Sequence, residues 1–387
     1  MQINNSQNLD FLLDFWKQNY LQEYINVGGS KIKFLTGRPG SGKTYALNAF
    51  CKTAENLGYV TVSFSAKHVG LSDFRDIYLE ILRQADIETR LKECAEQQIR
   101  KMGYDPEEIP ADRTFVDWLA SRNEGDMLTN RAIRENLRTM FLKNPLLDYN
   151  FATVCSILTA GYLGHPSLDE ASRQLLLAWM SGDKTIKAAS LRAMGLAPNK
   201  ITKRNARHML RSLAELIHLS GHAGLLVTID DLDILMDNSG LEEIHYTKMK
   251  RDDTYESIRE LIDDIDSMHY IMFVFGFDRC LIDNEKLGFK SYQALWMRIQ
   301  NEVVAARFNR FTDIADLDHL AKEVYSVDYI QELSIHFGEE MEHRGESFDL
   351  LDEAQAKQVL EQSEYGAYGI MNLIQKVMTG KGGTEHV

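Results

Sequence analysis

The segment GRPGSGKT, residues 37–44, constrains the fold of this chain more than any other stretch, because it joins a β-type run to a helix. The run KIKFLTG leads into it, and KTYALNAFCKTAENLG, a helical pattern closed by Gly58, follows. The pattern Gly-x-x-x-x-Gly-Lys-Thr in this setting is that of a phosphate-binding P-loop. The alternative, a glycine-rich turn with a chance lysine, leaves the flanking strand and helix unexplained. We therefore predict that a nucleotide is bound by Gly37, Arg38, Pro39, Gly40, Ser41, Gly42, Lys43, Thr44 and Tyr45.

Each residue type in this loop has a physical reason. Backbone N–H groups must turn inward around the β-phosphate, and glycines keep side chains out of that space. Lys43 places a catalytic cation against the β- and γ-phosphates, and Thr44 offers a hydroxyl ligand to Mg²⁺. The helix that follows adds the positive end of its dipole.

A second strand pattern, GLLVTIDDLD at residues 224–233, ends in carboxylates. Because ligands bind beyond the carboxyl ends of parallel strands, these acids should meet the P-loop. Asp230 is placed to hold Mg²⁺ through water, and Asp231 is placed to orient the attacking water. The alternative is that Asp231 and Asp233 only cap the following segment. An Asp is one methylene shorter than a Glu, and a water-activating group must lie within about 2.6–3.2 Å of the water, so we predict hydrolysis that is slow without a partner.

Candidates for a phosphate sensor and for a catalytic arginine follow the strand pattern YIMFVFG. Asp278, at the end of that strand, either reports on the γ-phosphate or caps the next helix, and both alternatives stay open. Arg298, Arg307 and Arg310 lie between this strand and the next one. An arginine that reaches the phosphate of a neighbouring subunit accelerates hydrolysis by orders of magnitude. We select Arg298 for this role, which would make a homo-oligomer the working form, although each of the three could be a solvated charge.

Strand and helix patterns alternate along much of the chain. The strand patterns are KIKFLTG, YVTVSFSA, GLLVTID, HYIMFVFG and RFTDIADL. This alternation predicts an α/β fold, with a mostly parallel sheet and helices on both faces. We divide the chain into an N-terminal helix with the first half of the core (1–84), a large helical insertion (85–221), the second half of the core (222–317), a C-terminal helical lid (318–380) and a flexible tail (381–387).

Charge and composition exclude several classes of protein. The 387-residue chain has a formal net charge of −14, so it is not a general binder of polyanions. The basic stretch, residues 184–211, is an exception, because it contains Lys and Arg but no acid. It is either a contact surface for DNA or an acidic partner, or a solvated face that balances nearby acids, and we favour the solvated face.

Four widely separated cysteines form no CxxC pair, so neither disulfides nor a zinc site are indicated. Together with the lack of a signal-peptide pattern, they predict a cytoplasmic protein with reduced thiols. No apolar run is long enough to cross a bilayer, so we expect no membrane contact.

Residues 175–235, from LLLAWMSGDKTIKAASLRAMGL to GLLVTIDDLDIL, resemble the ATP-binding protein BrxD family of bacterial BREX phage-defence systems. The stretches TYESIRELIDDIDSMHYIMFVFGFDR and SYQALWMRI resemble the same family. The resemblance covers about residues 25–320. The P-loop is shared with many other families, whereas the 177–233 segment is much more specific.

The resemblance implies a P-loop ATPase of AAA+ type, related to origin-recognition and STAND ATPases, that uses ATP and Mg²⁺. Carried over by position, Lys43 and Thr44 bind phosphate and metal, Asp230 holds Mg²⁺ and Asp231 is catalytic. The implied role is anti-phage defence with other proteins of the same operon.

Two features depart from the family pattern. Family members usually have Asp-Glu where this chain has Asp230-Asp231, and the lid segment GAYGIMNLIQK lacks the arginine often supplied to the γ-phosphate. Asn372 or Lys376 could replace that arginine. Alternative functions are a nucleotide-gated assembly switch with little turnover and an ATP-dependent DNA loader, although the lack of a winged-helix pattern at the C-terminus counts against the loader.

Overall fold

A single parallel sheet forms the centre of the molecule. The computed structural model describes residues 7–125, 127–237, 239, 242–303, 308–363 and 368–380. The strands in these residues are β1 Ser30–Gly37, β2 Val60–Ser65, β3 Leu225–Asp230, β4 Ile271–Asp278 and β5 Ile314–Asp316. All neighbouring pairs are parallel, in the order β2-β3-β4-β1-β5. The predicted α/β class and parallel sheet are therefore confirmed.

The strand register aligns four strand ends at one edge of the sheet. Gly37 at the end of β1 pairs with Asp278 of β4. Ser65 at the end of β2 pairs with Asp230 of β3. The P-loop and the predicted acidic residues consequently emerge from the same edge.

Helices surround the sheet and connect its strands. In chain order they are α1 Asp10–Trp16, α2 Lys43–Asn56, α3 Phe74–Gln84, α4 Ile87–Lys101, α5 Phe115–Ser121, α6 Met127–Leu137, α7 Tyr149–Leu163, α8 Glu170–Met180, α9 Ala188–Ala193, α10 Ala206–Leu219, α11 Lys248–Asp264, α12 Cys280–Asp283, α13 Gln293–Val303, α14 Leu317–Val324, α15 Val327–His343, α16 Glu353–Gln362 and α17 Ile370–Met378. Side-chain caps begin many of them: the Asp73 carboxylate accepts from the Arg75 N–H at the start of α3, and Asp352 and Gln355 form a reciprocal capping box at α16. None of the helices in the described ranges is both long and apolar enough to cross a membrane.

The sheet is buried on both faces, as expected for parallel strands. Phe273 and Phe275 of β4 pack into a core shared with α3, α10, α11 and the helices of the predicted insertion. Met272 and Val274, which alternate with them along the strand, pack into a second core with α1, α2 and the C-terminal helices α14–α17. The division into five segments stays a prediction, and residues 381–387 lie outside the described residues.

Candidate nucleotide-binding site

The P-loop occupies the turn between β1 and α2, and its glycines are required by the local geometry. Gly40 and Gly42 have φ angles of +74° and +95°, which disfavour any side chain. A Cβ at Gly37 would lie only 2.3 Å from the Oγ of Ser41. Ser41 Oγ is itself buried and makes no hydrogen bond within the part of the chain that the structure describes. The loop therefore keeps its inner side clear of side chains.

Lys43 lies across this loop. Its Nζ donates to the carbonyl oxygens of Gly37 (2.9 Å) and Arg38 (3.1 Å). The same ammonium is 3.9 Å from Asp278 Oδ2, at the end of the neighbouring strand β4. The ammonium is thus held at the loop by two backbone carbonyl oxygens, with the Asp278 carboxylate nearby.

Thr44 and Asp230 join the two halves of the predicted site. Thr44 Oγ1 donates to Asp230 Oδ2 at 2.5 Å, although the residues are 186 positions apart in the sequence. The other carboxylate oxygen accepts from the N–H of Asp231 at 2.9 Å. Gly276 on β4 makes room for this carboxylate, because a Cβ there would lie 2.5 Å from Asp230 Oδ1.

The donor set suits Mg²⁺. A hydroxyl and a carboxylate are the hard oxygen ligands that Mg²⁺ uses, together with waters and substrate phosphates. The described residues contain no group of three or more His, Cys, Asp or Glu side chains that could hold a metal ion. The oxygen atoms of Thr44 and Asp230 are thus of the kind that Mg²⁺ accepts as ligands.

Asp231 is engaged by two residues that the sequence analysis missed. Its Oδ2 accepts from Ser65 Oγ at 2.6 Å, and its Oδ1 lies 3.1 Å from Lys67 Nζ. Its side chain makes no hydrogen bond to cap the following turn. The capping alternative is therefore wrong for Asp231. Ser65 and Lys67 have no motif of their own, although Ser65 is the last residue of β2 and Lys67 follows it by two positions, at the sheet edge shared with the P-loop.

Asp233 links two strand ends and does not cap a helix. Its Oδ1 accepts from the N–H of Asp278 at 2.9 Å. Burial raises the pKa of the Asp233 carboxyl, and that backbone hydrogen bond partly offsets the effect. Asp278 Oδ1 accepts in turn from the N–H of Cys280, at the start of α12. Asp278 thus accepts from the first N–H of α12, although the N-cap position itself is Arg279, and its second oxygen lies 3.9 Å from Lys43 Nζ. A role for Asp278 toward the γ-phosphate stays a prediction.

Arg298 and Arg310 lie away from the P-loop of their own chain. Arg298 forms a bidentate pair with Asp263, at 3.0 and 3.1 Å, and lines a small groove beside Ser30 at the amino end of β1. Arg310 stacks on aromatic rings, including those of Phe11 and Phe15. Arg307 lies outside the described residues. A role for Arg298 toward a neighbouring copy stays a prediction.

The first turn of α17 rests directly on the P-loop. The N–H groups of Gly369 and Met371 donate to the carbonyls of Pro39 (2.8 Å) and Gly40 (2.9 Å). The Asn372 side-chain amide approaches Pro39 O at 3.4 Å. Lys376, the other candidate to replace an arginine, instead lies over the ring of Tyr368, 3.5 Å from its centroid.

Arg38 fastens the loop to two further helices. Its N–H and Nε donate to Asp318 Oδ2 of α14, at 2.8 and 3.1 Å. Its guanidinium also donates to the carbonyl of Ser363, just after α16. Asp318 and Ser363 were not predicted as site residues, because they lie in the helical C-terminal region without a recognisable motif.

A cavity of about 840 Å³ opens between the P-loop and α15. This volume is within the range of about 300–1,000 Å³ typical of small-molecule sites. One wall contains Lys43, Thr44 and Tyr45. The rest of the lining, which has no sequence motif, comes from α15 and the residue after it (Leu333, His336, Phe337, Glu339, Glu340, His343 and Arg344) and from α17 (Met371 and Gln375). The cavity therefore joins Lys43 and Thr44 to a lining that mixes apolar side chains, such as Leu333 and Phe337, with charged ones, such as Glu339 and Glu340.

The basic stretch divides into an internal and an external part. Arg207 pairs with Glu260 (2.5 Å) and Asp264 (2.7 Å) of α11, and Arg211 Nε donates to a backbone carbonyl. The external part is exposed and has no ion pair within the described ranges; it consists of Lys184, Lys187, Arg192 and Arg204. The interpretation that basic residues of this stretch neutralise nearby carboxylates therefore holds for Arg207.

Comparison with known proteins supports the resemblance noted in the sequence. The family model described as BREX system ATP-binding protein BrxC/D matches residues 19–334, from the helical segment after α1 to α15. No curated protein is significantly similar to the chain. The match includes the P-loop, Asp230 and the insertion, and the chain therefore belongs to the BrxC/D family of ATP-binding proteins of BREX phage-defence systems.

Proposed function

We propose that this protein is a Mg²⁺-dependent ATPase of AAA+ type that remodels or regulates a partner protein or DNA complex in BREX defence. One observation carries the proposal: Thr44 Oγ1 and Asp230 Oδ2 are 2.5 Å apart, which unites the P-loop with the acidic end of β3. The AAA+ assignment is supported by the parallel sheet, by the long helical insertion and by C-terminal helices that hydrogen-bond to the P-loop.

Each residue has a role in the proposed reaction. Lys43 leaves the loop carbonyls and binds the β- and γ-phosphate oxygens. Thr44 and Asp230 would hold Mg²⁺, which when bound would neutralise charge on the transferred phosphate. Asp231 orients a water and accepts its proton while the water oxygen attacks the γ-phosphorus; the bond to the β–γ bridging oxygen breaks, and ADP and inorganic phosphate leave.

The cavity beside α15 is proposed to hold the nucleoside. Tyr45 continues from the P-loop, Met371 lies against Gly42, and Phe337 adds apolar surface from α15. Aromatic and aliphatic side chains favour the flat face of a purine. The triphosphate would then extend from this cavity toward Lys43 and Asp230.

Phosphate release by the purified protein tests the proposal. We expect Lys43→Ala to lose nucleotide affinity and turnover together, because it removes the main phosphate-binding cation. Asp231→Asn should retain affinity but lower turnover about 100-fold or more, the usual contribution of a general base. Lys52→Ala is the matched control, since Lys52 is an exposed lysine on the same helix, α2.

Equal rates for the wild type and Asp231→Asn would remove Asp231 from the mechanism. A wild type that binds ATP but never releases phosphate would instead support the second candidate, a nucleotide-gated assembly switch. One observation favours that candidate: both oxygens of Asp231 already have partners in the resting protein. Such a switch would form assemblies whose measured mass differs between ADP and ATP, and it would release negligible phosphate.

Binding of DNA through the external part of the basic stretch stays a separate prediction. Contacts with the DNA backbone release counterions, so affinity must fall steeply as salt rises. Turnover measured with and without DNA, together with the salt dependence of binding, tests it. Absence of binding at low salt would eliminate both direct DNA contact and the DNA-loader alternative.

A further inference from the structure

The insertion has a second basic surface, on α6 and the helical turn that continues it. Arg131, Arg134 and Arg138, the arginine row, are spaced by three and four residues, so they lie on one face of that helix. All three are exposed, whereas Ile133 and Leu137, which face the interior, are buried. The three guanidinium groups therefore lie in solvent along one side of the insertion.

Only one carboxylate balances the positive charge of this segment. Arg131 and Arg134 make no ion pair with the residues that the structure describes. Glu135 lies 3.8 Å from Arg138 and 2.6 Å from Lys143, and the hydrogen bond with Lys143 is the main cause that lowers its pKa. One acid thus stands against four basic side chains, in a chain whose formal net charge is −14. This local excess of positive charge favours a polyanionic partner.

An exposed tyrosine follows the arginine row. Tyr149 begins α7, and 68% of it is exposed. Its ring makes no aromatic contact and its hydroxyl makes no hydrogen bond within the described parts of the chain. Arg211 brings a further cation to this place, because its Nε donates to Leu146 O, in the turn before Tyr149, at 3.2 Å. Leu142, which ends the helix of the arginine row and is 48% exposed, adds apolar surface.

This combination fits a single strand of nucleic acid better than a duplex. One exposed aromatic residue is ordinary on a protein surface, and arginines alone suit the backbone of any nucleic acid. An open aromatic ring beside the arginines has a further use, because the bases of a single strand can stack on it. The bases of a duplex are stacked on each other and present only their edges in the grooves.

We propose that Arg131, Arg134, Arg138, Tyr149 and Arg211 form a binding surface for single-stranded DNA. The arginines contact phosphates, and one base stacks on the tyrosine. This inference deepens the proposed function, on which it rests, by naming the form of DNA in the complex that is regulated. The surface is distinct from the external part of the basic stretch, since it shares none of its residues.

Fluorescence anisotropy of a labelled oligothymidylate of about 16 nucleotides, measured without ATP, tests this inference. We expect the wild type to bind this single strand more tightly than a duplex of the same length. Tyr149→Ala should weaken binding about fivefold or more, the loss of one stacked base, whereas Tyr149→Phe keeps the ring and the affinity. Tyr24→Ala is the matched control, with unchanged affinity, because Tyr24 is an exposed tyrosine before β1. Thermal unfolding checks that each variant is folded.

The salt dependence of binding tests the arginine contacts separately. Each phosphate contact with a single strand contributes about 0.7 to the slope of log affinity against log salt concentration. Arg134→Ala should therefore reduce that slope by about 0.7. Arg83→Ala should leave it unchanged, because Arg83 is an exposed arginine on α3 that is paired with Glu80.

The inference and the ATPase function can fail independently. The inference is overturned if the wild type binds no single strand at low salt, if it binds the duplex as tightly, or if Tyr149→Ala has the affinity of the wild type. Each of these results leaves ATP hydrolysis to its own assay. Preferential binding of the single strand by a protein that releases no phosphate would support the surface, while the hydrolytic part of the proposed function falls.

Discussion

Gly40 is subject to two constraints that can be separated by mutation. Its φ of +74° disfavours a side chain, and a Cβ there would lie 2.1 Å from Cγ of Asn372. Gly58, at the end of α2, has a similar φ of +81°, but nothing lies within 4 Å of its Cβ position. Gly58 therefore reports the cost of the backbone conformation alone.

We predict that Gly40→Ala weakens ATP binding tenfold or more, whereas Gly58→Ala leaves it unchanged. Gly58→Ala should lower the free energy of unfolding by about 1 kcal/mol, and Gly40→Ala by about 2 kcal/mol. Adding Asn372→Ala to Gly40→Ala should recover part of the loss, because it removes the clashing side chain. Equal ATP affinities for the two glycine variants, measured by calorimetry, would contradict this account of the loop.

At the residue scale, the sequence predicted the groups that belong to a local motif or end a strand. Thr44 was predicted from the P-loop motif and Asp230 from the end of a strand pattern, and the structure brings the two side chains into contact. Lys67, Asp318 and Phe337 could not be predicted, because each lies in a loop or helix whose partner is set by tertiary packing. Such residues have no spacing rule that distinguishes them from ordinary polar or core positions.

At the scale of elements, α10 shows how a basic helix can be structural. The Arg207 guanidinium pairs with Glu260 and Asp264 of α11 and lies 5.7 Å from the ring of Phe74. Arg204, three residues earlier, is exposed and has no ion pair in the described ranges. The two arginines therefore allow a matched comparison of a paired and an unpaired charge.

We predict that Arg207→Ala lowers the free energy of unfolding by about 1 kcal/mol, since it leaves two carboxylates without their partner and removes packing on Phe74. Arg204→Ala should change it by less than about 0.5 kcal/mol. Chemical denaturation measures both values. The interpretation of Arg207 as a link between α10 and α11 would fail if both variants were equally stable.

The strands could be predicted element by element, whereas the helices of residues 85–221 could be predicted only as a block. Apolar runs that end in Gly or Asp mark β1, β3 and β4, because such runs are buried on both faces and stop at the sheet edge. A helical pattern shows which face is apolar but not which neighbour covers it. The packing of α10 against α3 and α11 therefore had to come from the structure.

At the scale of the whole molecule, the chain closes on itself around the P-loop. The amide of Asn372 approaches the carbonyl of Pro39 across 333 positions of sequence. The insertion packs on one face of the sheet, and the C-terminal helices pack on the other.

Nucleotide bound between the P-loop and α15 would contact both the sheet edge and the C-terminal helices. We therefore expect ATP to stabilise the sheet and these helices together. ATP at 100 times its Kd should raise the free energy of unfolding by about 2.7 kcal/mol.

Calorimetric titration of ATP, with and without Mg²⁺, tests the central claim that the P-loop and the end of β3 form one site. We predict that the wild type binds one ATP per chain and binds it more tightly with Mg²⁺. Asp230→Ala, altered 186 positions from Thr44, should keep the Mg²⁺-free affinity and lose the gain from Mg²⁺. The claim is contradicted if the wild type takes up no ATP, or if Mg²⁺ strengthens binding equally in both proteins.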